Sequence, residues 1–143
     1  MQVQPYLIFN GRCDEALKFY EQALGAKVQF LMRFKDAPPN PDQPSRPELA
    51  DKVMHASFTI GDSVLMCSDG DCNESQSAHQ GYSLSLDPST VEEGQRLFDA
   101  LLADGGAAAM PFQKTFWALG FGMLKDRMGI HWMINVADPA MRG

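Results

Sequence analysis

Three histidines, His55, His79 and His131, are the side chains best suited to acid–base work in this chain, because imidazole titrates near neutrality. His55 lies in the alternating stretch Met54 to Ile60. There it shares a strand face with Ser57 and Thr59, opposite Met54, Ala56, Phe58 and Ile60, so it is expected to point into a cleft. His131 shares a face with Met133 and Asn135, whereas His79 sits in a polar stretch and is expected to be solvated. A strand histidine is more often a hydrogen-bonded packing residue than a ligand. The pair makes a general base and its orienter only if both reach one cavity. The segment Cys67-Ser68-Asp69-Gly70-Asp71-Cys72 has one cysteine pair and no second Cys or His pair nearby, a weak zinc pattern that reads as a turn after a strand. No sequence feature indicates an electropositive setting that would lower a thiol pKa, so a cysteine nucleophile is not expected.

Nine methionines and fourteen aromatic residues can line an adaptable apolar pocket as well as an ordinary core. Among Tyr6, Phe116, Trp117 and Trp132, Trp117 is expected to face a ligand because polar and apolar neighbours mix around it. The candidate ligand-binding residues are therefore Tyr6, His55, Ser57, Trp117 and His131, with no catalytic role assigned.

These side chains need elements to hold them. Val3 to Phe9 reads as a strand ending at the turn signal Asn10-Gly11. Asp14 to Leu24 has apolar residues at helical spacing, with Gly25 placed for a left-handed cap. Val28, Phe30, Met32 and Phe34 alternate as in a half-buried strand. The stretch 36–51 carries Pro38, Pro39, Pro41, Pro44 and Pro47 and reads as a long loop. Met54–Ile60 and Ser63–Ser68, joined by Gly61-Asp62, form a hairpin, and 69–80 is a polar connector. The order then repeats. A strand at 82–86 precedes a helix opening with the capping-box spacing Ser89-Thr90-Val91-Glu92, whose Val91, Leu97, Phe98, Leu101 and Leu102 share one face. After Asp104-Gly105-Gly106 come an extended segment near 108–110, a strand over 117–124, a turn over 125–129 and a strand over 130–136.

Two halves of the order strand, helix, three strands point to an internal structural duplication, half 1 about 1–70 and half 2 about 81–138 of one domain spanning 1–143. One helix covers one face of a four-stranded sheet, so a second copy can complete a curved cleft. A ferredoxin-like sandwich has the same element count and stays open on pattern alone. With 45% apolar and 21% charged residues, and no apolar run near the ~20 needed to cross a bilayer, a transmembrane reading is excluded. A formal charge of −6 would repel phosphate backbones and anionic lipid surfaces, so neither nucleic acid nor a membrane is an expected partner. An N-terminus without a basic and apolar leader pattern, together with an odd cysteine count, suggests a cytoplasmic chain with reduced thiols.

The string Pro5-Tyr6-Leu7-Ile8-Phe9-Asn10-Gly11 with Cys13, Glu15-Ala16 and Phe19-Tyr20 resembles the opening of PhnB-like proteins of the vicinal-oxygen-chelate (glyoxalase/bleomycin resistance/dioxygenase) superfamily. Val53-Met54-His55-Ala56, Ile60-Gly61-Asp62, Leu65-Met66, Ser68-Asp69, and Lys125-Asp126-Arg127 with Gly129 and Trp132 extend the resemblance over most of the chain. It implies an α+β fold of two paired βαβββ modules forming curved mixed sheets around a cleft, a homodimer, and a small organic ligand. Metal-using members place His, Glu or Gln on the inner strands. The corresponding positions here fall near Gln4, Met66, Tyr82 (or Gly81) and Met133, of which only Gln4 is a good donor, so a divalent metal is not the expected cofactor. A metal-dependent lyase or dioxygenase with a non-standard site, and an interaction protein with a filled cleft, are the alternatives. Relatives carry a ubiquinone-pathway methyltransferase name, yet no Gly-rich turn joins an early strand to a helix. Leu119-Gly120-Phe121-Gly122 reads as a strand whose glycines serve close packing or a bend.

Overall fold

The computed structural model describes residues 1–39, 41–42, 46–72 and 79–141. Two compact units divide the chain, Met1–Gln76 and Ser77–Gly143. Parts of the expected proline-rich loop (Asn40, Gln43, Pro44, Ser45) and of the polar connector (73–78) lie outside the described residues.

The first unit contains β1 (Tyr6–Ile8), α1 (Cys13–Leu24), β2 (Lys27–Arg33), β3 (Val53–Ile60) and β4 (Ser63–Ser68). Its sheet runs β1-β4-β3-β2, with β1 parallel to β4 and the other pairs antiparallel. Helix α1 buries Ala16, Leu17, Phe19, Tyr20 and Ala23, and Tyr20 stacks on Phe58 of β3 at 6.3 Å. It ends at Gly25, whose φ of 69° is the expected left-handed cap. At its other end Arg12 supplies no side-chain cap. Asp69, 1% exposed, fills that role from across the fold: Gly11 and Cys13 N–H donate to Oδ1 at 2.9 and 2.8 Å, and Val53 N–H to Oδ2 at 2.8 Å. One carboxylate thereby ties the start of α1 to the start of β3.

The second unit repeats the plan with β5 (Leu84–Leu86), α2 (Val91–Leu102), β6 (Ala107–Gln113), β7 (Ala118–Lys125) and β8 (His131–Ala137), in the order β5-β8-β7-β6. This is an α+β pair of repeated modules, each a four-stranded mixed sheet with one helix. Gly94, Leu97, Phe98 and Leu101 of α2 are buried. Close packing explains the strand glycines: a Cβ on Gly120 would meet Phe112 Cζ at 2.4 Å, and one on Gly122 would meet Phe98 Cε2 at 2.7 Å.

Several boundaries differ from the expectations. Val3 is fully exposed and β1 starts at Tyr6, although Pro5 still lends its carbonyl to Met66 N–H. The half-buried alternation expected of β2 is absent, with Val28 and Phe30 exposed. A bulge between them on this edge strand breaks the period of two. Phe34 leaves the strand for a single 3-10 turn, Phe34–Asp36, and a second, Pro47–Leu49, buries Leu49 in what reads as plain loop. The α2 cap is Thr90, accepting from Glu93 N–H at 3.1 Å, one residue later than Ser89-to-Glu92 spacing suggests, because adjacent hydroxyls and adjacent glutamates satisfy both registers. Val91 is consequently exposed rather than on the core face. Strand β6 extends well beyond 108–110 and tolerates Pro111 because it is an edge strand with irregular register.

Candidate functional site

In the first unit the strand face that carries odd-numbered β3 residues is separate from the one that packs Ala56 and Phe58. Pairing sets Phe30, Ser57, Met66 and Tyr6 in one cross-strand row, with His55 beside Met32 in the next. The structure thus brings Tyr6, His55 and Ser57 onto one face. Tyr6 Oη lies 2.9 Å from His55 Nδ1, their rings 5.6 Å apart, and Phe30 stands 6.1 Å away on the imidazole. Burial, and next the neighbouring Cys67, raise the Tyr6 pKa above the usual tyrosine value, so the phenol stays protonated and its hydroxyl donates when His55 carries its proton on Nε2.

In the second unit His131, Met133 and Asn135 lie on the β8 face opposite Trp132, Ile134 and Val136, which are buried. His131 lines a recess of about 420 Å³ with Gly81, Tyr82, Ser83 and Met133. Its Nε2 donates to the His79 carbonyl at 3.0 Å, and His79 Nδ1 in turn meets Tyr82 Oη at 2.8 Å. His79 is therefore a partnered, half-buried residue, not the solvated one expected; Gly81, with φ of 83°, bends the chain so that it sits by Tyr82. Burial first, then Asp126, raise the Tyr82 pKa, so this phenol too remains neutral. The row through Met133 continues to Met123 on β7 and Met110 on β6, three thioethers side by side.

Trp117 is not among the residues lining the recess. It precedes β7, half-open to solvent, with its ring edge-on to Phe116 at 4.8 Å and Phe121 at 5.3 Å. Trp132, an aromatic singled out from sequence, is a core residue 2% exposed, donating from Nε1 to Asp126 Oδ2 at 2.8 Å. Asp126 also accepts from Met128 and Ile130 N–H through Oδ1, at 2.8 and 3.1 Å. Tyr82 (or Gly81) and Met133, recognised beforehand only as metal positions, are lining residues; Ser83 had no sequence signal beyond its place in the expected strand.

Of the usual metal positions only Gln4 offers a hard oxygen, through its Oε1; Met66 and Met133 offer soft thioethers, and Tyr82 is a neutral phenol. Among the described residues no three His, Cys, Asp or Glu side chains converge. These residues do not fit a divalent metal held in the superfamily manner. The cysteines are free. Cys67 pairs spatially with Cys13, Sγ to Sγ 3.1 Å, rather than with Cys72. The hydrogen bond to Cys67 and then burial push the Cys13 thiol up, and burial followed by Asp69 pushes Cys72 up, so a nucleophilic thiolate is disfavoured at both.

A family model described as 3-demethylubiquinone-9 3-methyltransferase matches residues 1–135. Protein YjdN of Escherichia coli K12 is 38% identical over 142 residues, covering 95% of each chain. The crystal structure of PA1353 from Pseudomonas aeruginosa aligns with a TM-score of 0.82 at 41% identity, covering 96% of this chain and 98% of that one. The PhnB protein from Bacillus cereus aligns at 0.78 and 26%, covering 96% and 100%. A glyoxalase/bleomycin resistance protein/dioxygenase family enzyme from Burkholderia phytofirmans shares the fold at 0.64 and 17%, covering 93% and 97%.

Proposed function

The chain belongs to the PhnB-like 3-demethylubiquinone-9 3-methyltransferase family, whose fold is that of the glyoxalase/bleomycin resistance/dioxygenase superfamily, and from that premise we propose that it binds a small organic molecule without a divalent metal. The recess lined by Gly81, Tyr82, Ser83, His131 and Met133 carries this reading, because it joins the Met133 thioether to hydroxyl and imidazole groups that can orient a ligand. Tyr6, His55 and Ser57 form the corresponding binding surface of the first unit, with Phe30 as an aromatic wall. Trp117 adds an exposed aromatic edge to the second. Methyl transfer is not part of the proposal, since the turn from Phe9 to Arg12 holds a single glycine and no phosphate-cradling run.

The working form is one domain over 1–143, homodimeric and cytoplasmic, with no nucleic-acid partner. Support for the dimer comes from the family resemblance and from Val28 and Phe30, exposed on an edge strand. Support for the cytoplasm comes from the three free thiols. No described helix is long and apolar enough to cross a membrane.

Ligand screening by thermal shift, followed by NMR titration of the full chain, tests the binding reading. Saturable perturbation at Ser83, His131 and Met133 is expected. Turnover that requires a stoichiometric divalent ion would replace the proposal with the metal-dependent enzyme.

A further inference from the structure

We infer that the recess of the second unit selects an uncharged apolar molecule carrying an O–H or N–H donor, and that His131 Nδ1 receives that donor. The inference rests on the binding reading above and names what the recess recognises. A carbonyl oxygen can only accept, so the 3.0 Å contact from His131 Nε2 to the His79 carbonyl places the imidazole proton on Nε2. A neutral ring has one such proton, which leaves Nδ1 with its lone pair. No described residue hydrogen-bonds Nδ1, while the ring itself lines the recess. The segment that presents the carbonyl is fixed in turn by the His79–Tyr82 contact at 2.8 Å and by the positive-φ turn at Gly81. The tautomer is thus set by backbone geometry and not by solvent.

Complementary chemistry follows from this lone pair. A group that only accepts, such as a carboxylate or an ether, meets it without a proton to share. A cation is disfavoured by the charge of Lys125, the cross-strand neighbour of His131. A neutral hydroxyl or N–H satisfies both conditions. Its apolar body then lies toward Met133, whose row of thioethers continues through Met123 and Met110 and suits flat or irregular apolar surfaces.

The test uses the full-length protein at about pH 8. Long-range proton–nitrogen NMR reads the His131 tautomer, and two probe pairs are titrated: 2-naphthol against 2-methoxynaphthalene, and indole against 1-methylindole. The expected result is an Nε2–H tautomer and binding about five- to tenfold tighter for the donor-bearing member of each pair, the scale of one net hydrogen bond. In His131→Phe that ratio falls to about one, the scale expected when that bond is lost. An Nδ1–H tautomer, or equal affinities within each pair accompanied by perturbation at Ser83 and Met133, overturns the donor inference while the recess remains a binding site. Absence of binding by all four probes, with no perturbation around the recess, defeats the binding reading and the inference with it. The wild-type tautomer and probe ratios decide the matter even if a variant misfolds.

Discussion

At the scale of single residues, two carboxylates within the motifs that make this family recognisable serve structure. Asp69, in the Ser68-Asp69 pair, accepts three backbone N–H groups, and Asp126, in Lys125-Asp126-Arg127, accepts two plus the Trp132 indole. Deleting such a carboxylate orphans several buried donors at once. Asp69→Ala should cost about 3 kcal/mol or more of unfolding free energy in urea, and Asp69→Asn, which retains one acceptor oxygen, distinctly less. The tyrosines set a pH dependence. Tyr6 and Tyr82 have pKa values raised chiefly by burial, so the unfolded chain releases its phenolic protons first. The folded state then holds more protons, and stability falls as pH rises from the ordinary tyrosine value near ~10 through the raised ones. Urea unfolding at about pH 9 and about pH 11 should show that loss, with a smaller drop in Tyr6→Phe/Tyr82→Phe, since ordinary tyrosine titration begins in that range.

At the scale of elements, closeness between α2 and its sheet depends on missing side chains. Gly94 faces Phe112 Cζ and Val136 Cγ2, where a Cβ would stand 2.7 and 3.0 Å away, and Gly120 leaves still less room. Gly120→Ala should destabilise by about 1–3 kcal/mol through overpacking, and adding Phe112→Leu should recover part of that loss, as read by thermal or urea unfolding. Thr90→Ala removes the α2 cap and should cost about 1 kcal/mol, whereas Ser89→Ala should be near neutral. That contrast separates the two cap registers that the sequence alone leaves equivalent.

At the scale of the whole molecule, the donor chemistry at Gln4, Met66, Tyr82 and Met133 bears on metal content. Untagged protein incubated with Zn, Ni, Co, Mn or Fe(II) and then desalted should retain well under one ion per chain by plasma mass spectrometry. One tightly held ion per chain would show that a set of donors other than these four converges. Sedimentation equilibrium should give twice the chain mass if the homodimer forms.

Periodicity carried much of the architecture, because helix α1, the β3–β4 hairpin and the repeated order depend on local alternation, glycine turns and caps. It failed where partners intervene: a bulge reverses the faces of β2, and neighbouring strands decide that Pro111 belongs to one. His55 and Ser57 were legible as candidates because strand parity places them on one face, and Tyr6 as an aromatic; only the strand pairing sets Tyr6 beside them. Only tertiary structure joined His79, Tyr82 and His131, because β8 returns to the start of the same unit fifty-two residues after His79. A carbonyl hydrogen bond across that separation sets the His131 proton, and no spacing rule encodes it. Composition and parity are properties of the local chain; which nitrogen holds a proton depends on the atom that folding brings opposite it.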